Sequence, residues 1–191
     1  MGIQKTELKN LNADQFAKVI PFYISATQPE HLPRILASKD FGFCMDVMRE
    51  LVNLINTSIW HEKALYCFFE YLREYYGVTI DGFAVQPYDA EDYSCGSCSS
   101  DDPSECTYCR FMGGNARNVT RYRFCRNDEQ ASQEQLLQLL EELRKKPRPP
   151  IKQADNAYEQ CPHKYYPFSA QDDEIRGESC FYCGKGYLCH Q

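Results

Sequence analysis

Residues 161–190 read CPHKYYPFSAQDDEIRGESCFYCGKGYLCH. Two cysteines, Cys180 and Cys183, stand in a CxxC turn followed by Gly184. A third, Cys161, shares a C-x-H turn with His163 upstream. A CxxC turn places two thiolates on one side of a tight bend, and a glycine after the second cysteine allows the left-handed backbone that closes it. The spacing therefore predicts a four-ligand site from Cys161, His163, Cys180 and Cys183. Cys189 and His190 compete for the same positions, with Cys189 in place of His163 as the second choice.

A stronger pattern lies upstream. In SCGSCSSDDPSECTYCR, residues 94–110, Cys95, Cys98, Cys106 and Cys109 form C-x2-C-x7-C-x2-C. Four thiolates within so short a loop suit a tetrahedral zinc ion, and the nearness of the pairs keeps the closure entropy small. Two Zn2+ ions are thus expected per chain. Asp101, Asp102 and Glu105 lie inside the loop, and Arg110, Arg117, Arg121, Arg123 and Arg126 follow it. That basic run can neutralise the anionic centre. Alternatively, Arg117, Arg121, Arg123 and Arg126 can meet phosphates while Tyr122 and Phe124 stack bases.

The 11 cysteines of this 191-residue chain read as ligands rather than disulfides because no secretory leader is visible in MGIQKTELKNLNADQF. An intracellular protein, cytoplasmic or nuclear, is the expectation. No apolar run is long enough to span a bilayer. Gly2 with Thr6 matches the N-myristoylation pattern, yet MG is a common start and the nearby Lys5 and Lys9 are a poor basic patch. The net charge of −6 disfavours a nucleic-acid-coating protein. Cys44 and Cys67 fall among apolar residues and read as buried thiols; Cys125 reads as core or as a spare ligand.

The first part of the chain is helical. Asn12 is a candidate N-cap before Phe16, Val19 and Ile20, with Pro21 bending or ending the helix. Pro29 opens a second helix. Phe43, Cys44, Val47, Met48, Leu51, Leu54 and Ile55 make a stripe of helical period, as do Trp60, Leu65, Phe68, Phe69 and Leu72 before a C-cap at Gly77. VTIDGFAVQPYD, residues 78–89, predicts strand, turn and strand. Residues 132–146 predict an amphipathic helix with a Ser132/Gln135 capping box. PRPPIK then reads as a stiff linker over about residues 146–153. LLQLL, residues 136–140, reads as the buried stripe of that helix rather than as a docking motif.

The expected fold is α+β: a helical domain over residues 1–78, then a cysteine-rich, zinc-stabilised module over 79–191 with short strands and one amphipathic helix. No HExxH, GxSxG, Walker loop or deaminase signature is present, and the cysteine order does not suit a RING domain. Closed sulfur-rich sites leave no position for a reacting water. The expected function is therefore a non-enzymatic zinc-binding adaptor or regulator that binds another protein. Compact chains with several zinc loops are common among viral accessory factors that redirect a host partner, and this chain fits that description. The alternative is an RNA-binding zinc protein using residues 117–126.

Overall fold

A computed structural model describes residues 4–26, 29–90, 119–155, 158–169 and 175–190. The fold is mixed α+β, with five α-helices and two antiparallel sheets among these residues. The chain divides into two units, one formed by residues 1–81 with 131–191 and the other by residues 82–130.

In the larger unit the helices begin where the capping residues are. Asn12 accepts the Gln15 amide at 2.9 Å, and the Gln15 side chain accepts the Asn12 amide at 3.3 Å. This reciprocal cap opens α1 (Ala13–Ala26), which runs on through Pro21 rather than ending there. A 3-10 turn at Pro29–His31 leads into α2 (Leu32–Leu36). Asp40 caps α3 (Phe41–Leu54) and Ser58 caps α4 (Ile59–Tyr76). Gly77, at φ 62°, ends α4 in the left-handed region that glycine enters without strain. The Ser132/Gln135 capping box opens α5 (Gln133–Arg144) as the sequence predicts.

α3 is the centre of the helical layer, packed by α1, α4 and α5. Cys44, Val47, Met48 and Leu51 are fully buried, as are Leu65 and Phe68 of α4. Phe16 stands edge-on to Phe43 at 5.4 Å and to Phe68 at 6.4 Å. Leu136, Leu139 and Leu140 are buried, so the leucine motif of α5 is core. Burying a side chain of this size contributes about 1.5–3 kcal/mol, which is why the apolar stripes decide the helix packing.

A four-stranded sheet completes this unit, in the order β1 (Gln4–Glu7), β7 (Gly186–His190), β6 (Arg176–Cys180), β5 (Tyr165–Ser169). Thr6 opposes Leu188, Gly177 opposes both Leu188 and Phe168, and Tyr165 opposes Cys180. Phe168 is buried and stands edge-on to Tyr23 of α1 at 6.2 Å. Gly177 lies under its ring, where an added β-carbon would come within 2.1 Å of the Phe168 ring.

The chain does not divide at residue 78, the boundary expected from the sequence. β1, from the start of the chain, pairs with β7 at its end, and α5 packs on α3. Backbone pairing and apolar burial both cross the expected division. Nor are residues 146–153 a span between bodies. Arg148 donates to the Gly77 carbonyl at 2.9 Å, and the Ile151 amide donates to the Tyr75 carbonyl at 2.7 Å, so the segment is strapped to the end of α4.

The smaller unit holds a sheet of β2 (Phe83–Ala90), β3 (Val119–Arg126) and β4 (Glu129–Gln130), in that order. Asn127 and Asp128 both take positive φ, 52° and 68°, in the two-residue turn between β3 and β4. The strand expected at residues 78–80 is absent. Val78 is buried and its amide donates to the Leu72 carbonyl, so the end of α4 claims it. The turn at Asp81-Gly82 and the strand after it are present, but that strand pairs with β3.

Candidate metal centre

Cys180 is the last residue of β6, and the tight turn after it carries Cys183 back toward β7. Gly184 takes φ 75°; a β-carbon there would lie 2.4 Å from that of His31 and 2.7 Å from the Tyr23 hydroxyl. Only glycine fits this turn. Its amide donates to the Cys180 carbonyl at 2.9 Å, and the Cys180 amide donates to the Lys185 carbonyl at 2.8 Å. The Phe181 amide donates to the Lys164 carbonyl at 3.2 Å, which ties the turn to the segment bearing Cys161 and His163.

His163 adopts φ 49°, a left-handed conformation that non-glycine residues hold at a cost. This bend turns its amide onto the Cys161 sulfur at 3.4 Å. Its imidazole stacks on Tyr165, with centroids 5.8 Å apart and planes 17° from parallel. Cys161, His163, Cys180 and Cys183 are thereby brought together, with one ligand atom from each lying within 4.8 Å of the others. The Cys161 and Cys180 sulfurs are 3.5 Å apart, and Cys183 Sγ is 3.5 Å from His163 Nδ1. Sulfurs about 2.3 Å from a tetrahedral ion stand about 3.8 Å from one another. A disulfide needs about 2.05 Å. The spacing is that of a group able to hold a metal ion, and the four residues are those the sequence nominates.

The electrostatics suit thiolates. Burial opposes ionisation of Cys180, but the amides of Cys183 and Tyr182 and the neighbouring thiols outweigh it and bring Cys180 down to about 6. Burial and the adjacent Cys180 push Cys183 up to about 12, against the Lys185 amide that favours its thiolate. The amide-rich end of the turn stabilises one negative charge; further thiolates require a cation among them.

Cys189 and His190 do not compete for this group. Cys189 lies along β7 opposite Lys5 and Arg176, and His190 Nε2 is 2.9 Å from the Thr6 hydroxyl. Cys44 is buried, and desolvation pushes its thiol up to about 12. Burial likewise pushes Cys67 up to about 11. Cys125 is buried on β3 opposite Ala84. The seven described cysteines are all free thiols.

Cys95, Cys98, Cys106 and Cys109, the acidic residues between them, Arg110 and Arg117 lie outside the described residues. Gly2 does too. The basic-aromatic strip is not one surface. Arg121 opposes Tyr88 and Arg123 opposes Gln86, whereas Tyr122 opposes Pro87 and Phe124 opposes Val85. Strand alternation therefore puts Arg121 and Arg123 on one face and Tyr122, Phe124 and Arg126 on the other. Phe124 is also buried. The aromatic partner of Arg123 is Tyr88, whose ring centroid lies 5.1 Å from the guanidinium carbon.

The supports of the group come from residues the sequence does not single out. Tyr23 of α1 donates a hydrogen bond to the Gly184 carbonyl, and Arg34 of α2 donates to the Cys183 carbonyl at 3.4 Å. His31 is buried against Gly184. Burial is also the chief influence on His31 itself, lowering its pKa against a hydrogen bond with the Tyr182 backbone. Beside the turn, Tyr166, Phe181 and Tyr182 are about half exposed, at 51%, 47% and 52%. Phe181 stands edge-on to both tyrosines, at 6.2 and 5.7 Å.

No family model matches the chain, and no curated protein or solved structure matches it either. Among the described residues, no helix is long and apolar enough to cross a membrane.

Proposed function

We propose that this chain is a non-enzymatic adaptor that presents an aromatic docking surface on a zinc-held turn and binds another protein through it. The carrying observation is the cluster of Tyr166, Phe181 and Tyr182. These are three of the five exposed large hydrophobic residues of the described chain, and two of them lie between the ligands Cys180 and Cys183. Aromatic side chains supply much of the binding energy at protein interfaces, and a cluster of them left in water favours a partner. Zinc is the ion because three thiolates and one imidazole are its usual structural ligands, while a four-sulfur cluster site would use cysteine throughout. A Cys3His set fills all four positions, which supports a structural rather than a catalytic ion.

The second expected zinc ion, at Cys95, Cys98, Cys106 and Cys109, rests on sequence spacing. An intracellular setting rests on the preference of thiol-ligated zinc for reducing compartments; a viral accessory role rests only on the compactness of a chain with several cysteine-rich loops.

The test is affinity capture from a cell lysate with the full zinc-loaded chain and its Phe181→Ala/Tyr182→Ala variant. A set of proteins held by the wild type and lost by the variant, at equal metal content and equal melting temperature, supports the reading. An identical captured set from both overturns it.

A further inference from the structure

Residues 144–152 read RKKPRPPIK: five cations and no acidic residue, in a chain of net charge −6. α5 ends at Arg144, and its last turn closes with the Lys146 amide on the Leu143 carbonyl at 3.0 Å. From Pro147 to Gln153 the backbone forms neither helix nor strand, and every residue from Arg144 to Gln153 is exposed. The ends are pinned. Arg144 pairs with Asp46, Arg148 donates to the Gly77 carbonyl, and Lys152 pairs with Glu74 at 2.9 Å. Between them, Lys145 and Lys146 have no acidic partner among the described residues.

We propose that Lys145-Lys146-Pro147-Arg148 is a nuclear-import tag, displayed for the acidic groove of a carrier protein that reads a short basic strand. Clustered Lys and Arg residues in a run of this length are the chemistry such carriers recognise. The prolines at 147, 149 and 150 hold the chain extended, with a rise of about 3.1 Å per residue. Pro147 also disfavours helix beyond Lys146, so the chain leaves α5 here, with Lys145 still in helical conformation and the segment from Pro147 outside it. Local changes complete it: the Lys145 and Lys146 amides leave the Glu141 and Leu143 carbonyls at the end of α5, and Arg148 gives up the Gly77 carbonyl.

A carrier groove suits these observations better than a nucleic acid. No aromatic residue lies in 144–152 to stack a base. A groove reads the four residues at contact range, whereas a long polyphosphate would pass beyond the screening distance of about 8 Å and meet a chain that is acidic as a whole. The proposal is independent of the metal centre.

The test uses the full chain fused to a reporter large enough to prevent passive entry into the nucleus, alongside titration of purified import carrier with the full chain. Nuclear accumulation is expected for the wild type and for Lys146→Arg, and is lost in Lys145→Ala/Lys146→Ala. Carrier affinity should fall about thirtyfold or more in that double variant, as for truncation of contacts in a buried charge pair. Lys152→Ala, which lies outside the tag, should leave both readouts unchanged. Far-UV circular dichroism of each variant checks that the fold is intact. Unaltered nuclear accumulation or carrier affinity in the double variant overturns the proposal. So does binding to RNA or anionic vesicles that the double variant loses while the carrier does not bind the wild type.

Discussion

The hydroxyl of Tyr23 donates a hydrogen bond to the carbonyl of Gly184, a residue 161 positions away and directly after Cys183 of the candidate metal group. Tyr23 is completely buried and also stacks edge-on against Phe168 of the sheet. One side chain of α1 thus holds both the Cys180–Gly184 turn and the strand beside it. With Arg34 on the Cys183 carbonyl and His31 against Gly184, the turn is built into the helical core of its own unit. A metal ion in this group therefore staples residues near the start of the chain to residues near its end, and its binding energy becomes folding energy of the whole unit.

Gly184→Ala should destabilise this unit by about 2 kcal/mol or more, from the left-handed backbone and from overpacking against His31. Chemical denaturation followed at the helix signal measures it. A change below a few tenths of a kcal/mol would mean that the turn adapts and that His31 does not confine it.

Leu139→Ala should cost about 2–5 kcal/mol, the range for a buried leucine. It should lower the melting temperature of the entire helical layer, because α5 packs on α3. A loss confined to α5 by hydrogen exchange, with the protection of α3 unchanged, would contradict a shared core.

The Phe181→Ala/Tyr182→Ala pair should change stability by no more than about 0.5 kcal/mol, as for exposed positions generally. Equilibrium unfolding of the metal-loaded chain checks this. A large loss would make these aromatics structural and remove the reason to treat them as a docking surface.

Burial lowers the pKa of His61, against a smaller opposing hydrogen bond that its imidazole donates to the Ser58 backbone. The unfolded chain therefore takes up this proton first as the pH falls below about 6.5. The stability linked to neutral His61 is present above that pH and is lost as the pH falls through the folded value. His61→Gln should flatten the acid limb of the stability curve by at most about 1.4 kcal/mol per pH unit. Denaturation midpoints across this range give the difference; parallel curves for the two proteins would contradict it.

Much of this was readable from residue types. Asn12, Ser132 with Gln135, and Gly77 mark helix ends because each satisfies a local backbone requirement, and all three act as expected. The group at Cys161, His163, Cys180 and Cys183 was legible for the same reason: CxxC followed by glycine and the C-x-H turn are local geometries. The sharing of one unit between residues 1–81 and 131–191 was not legible, because QKTE at residues 4–7 carries no apolar alternation and finds its place only by pairing with β7. Tyr23, His31 and Arg34 were hidden for a related reason. Their role is to reach the turn from α1 and α2, and nothing in their own neighbourhoods signals that. The split of Arg121 and Arg123 from Tyr122 and Phe124 follows from alternation along a strand; the apparent strip merged two faces.

The most direct measurement is the metal content and thermal unfolding of the full chain beside its Cys180→Ser variant. One metal ion fewer per chain is expected in the variant, with a lower midpoint for the far-UV helix signal, as one cooperative step. An equal metal count, or helices that melt at the wild-type temperature after that ion is lost, would contradict a metal staple in the core.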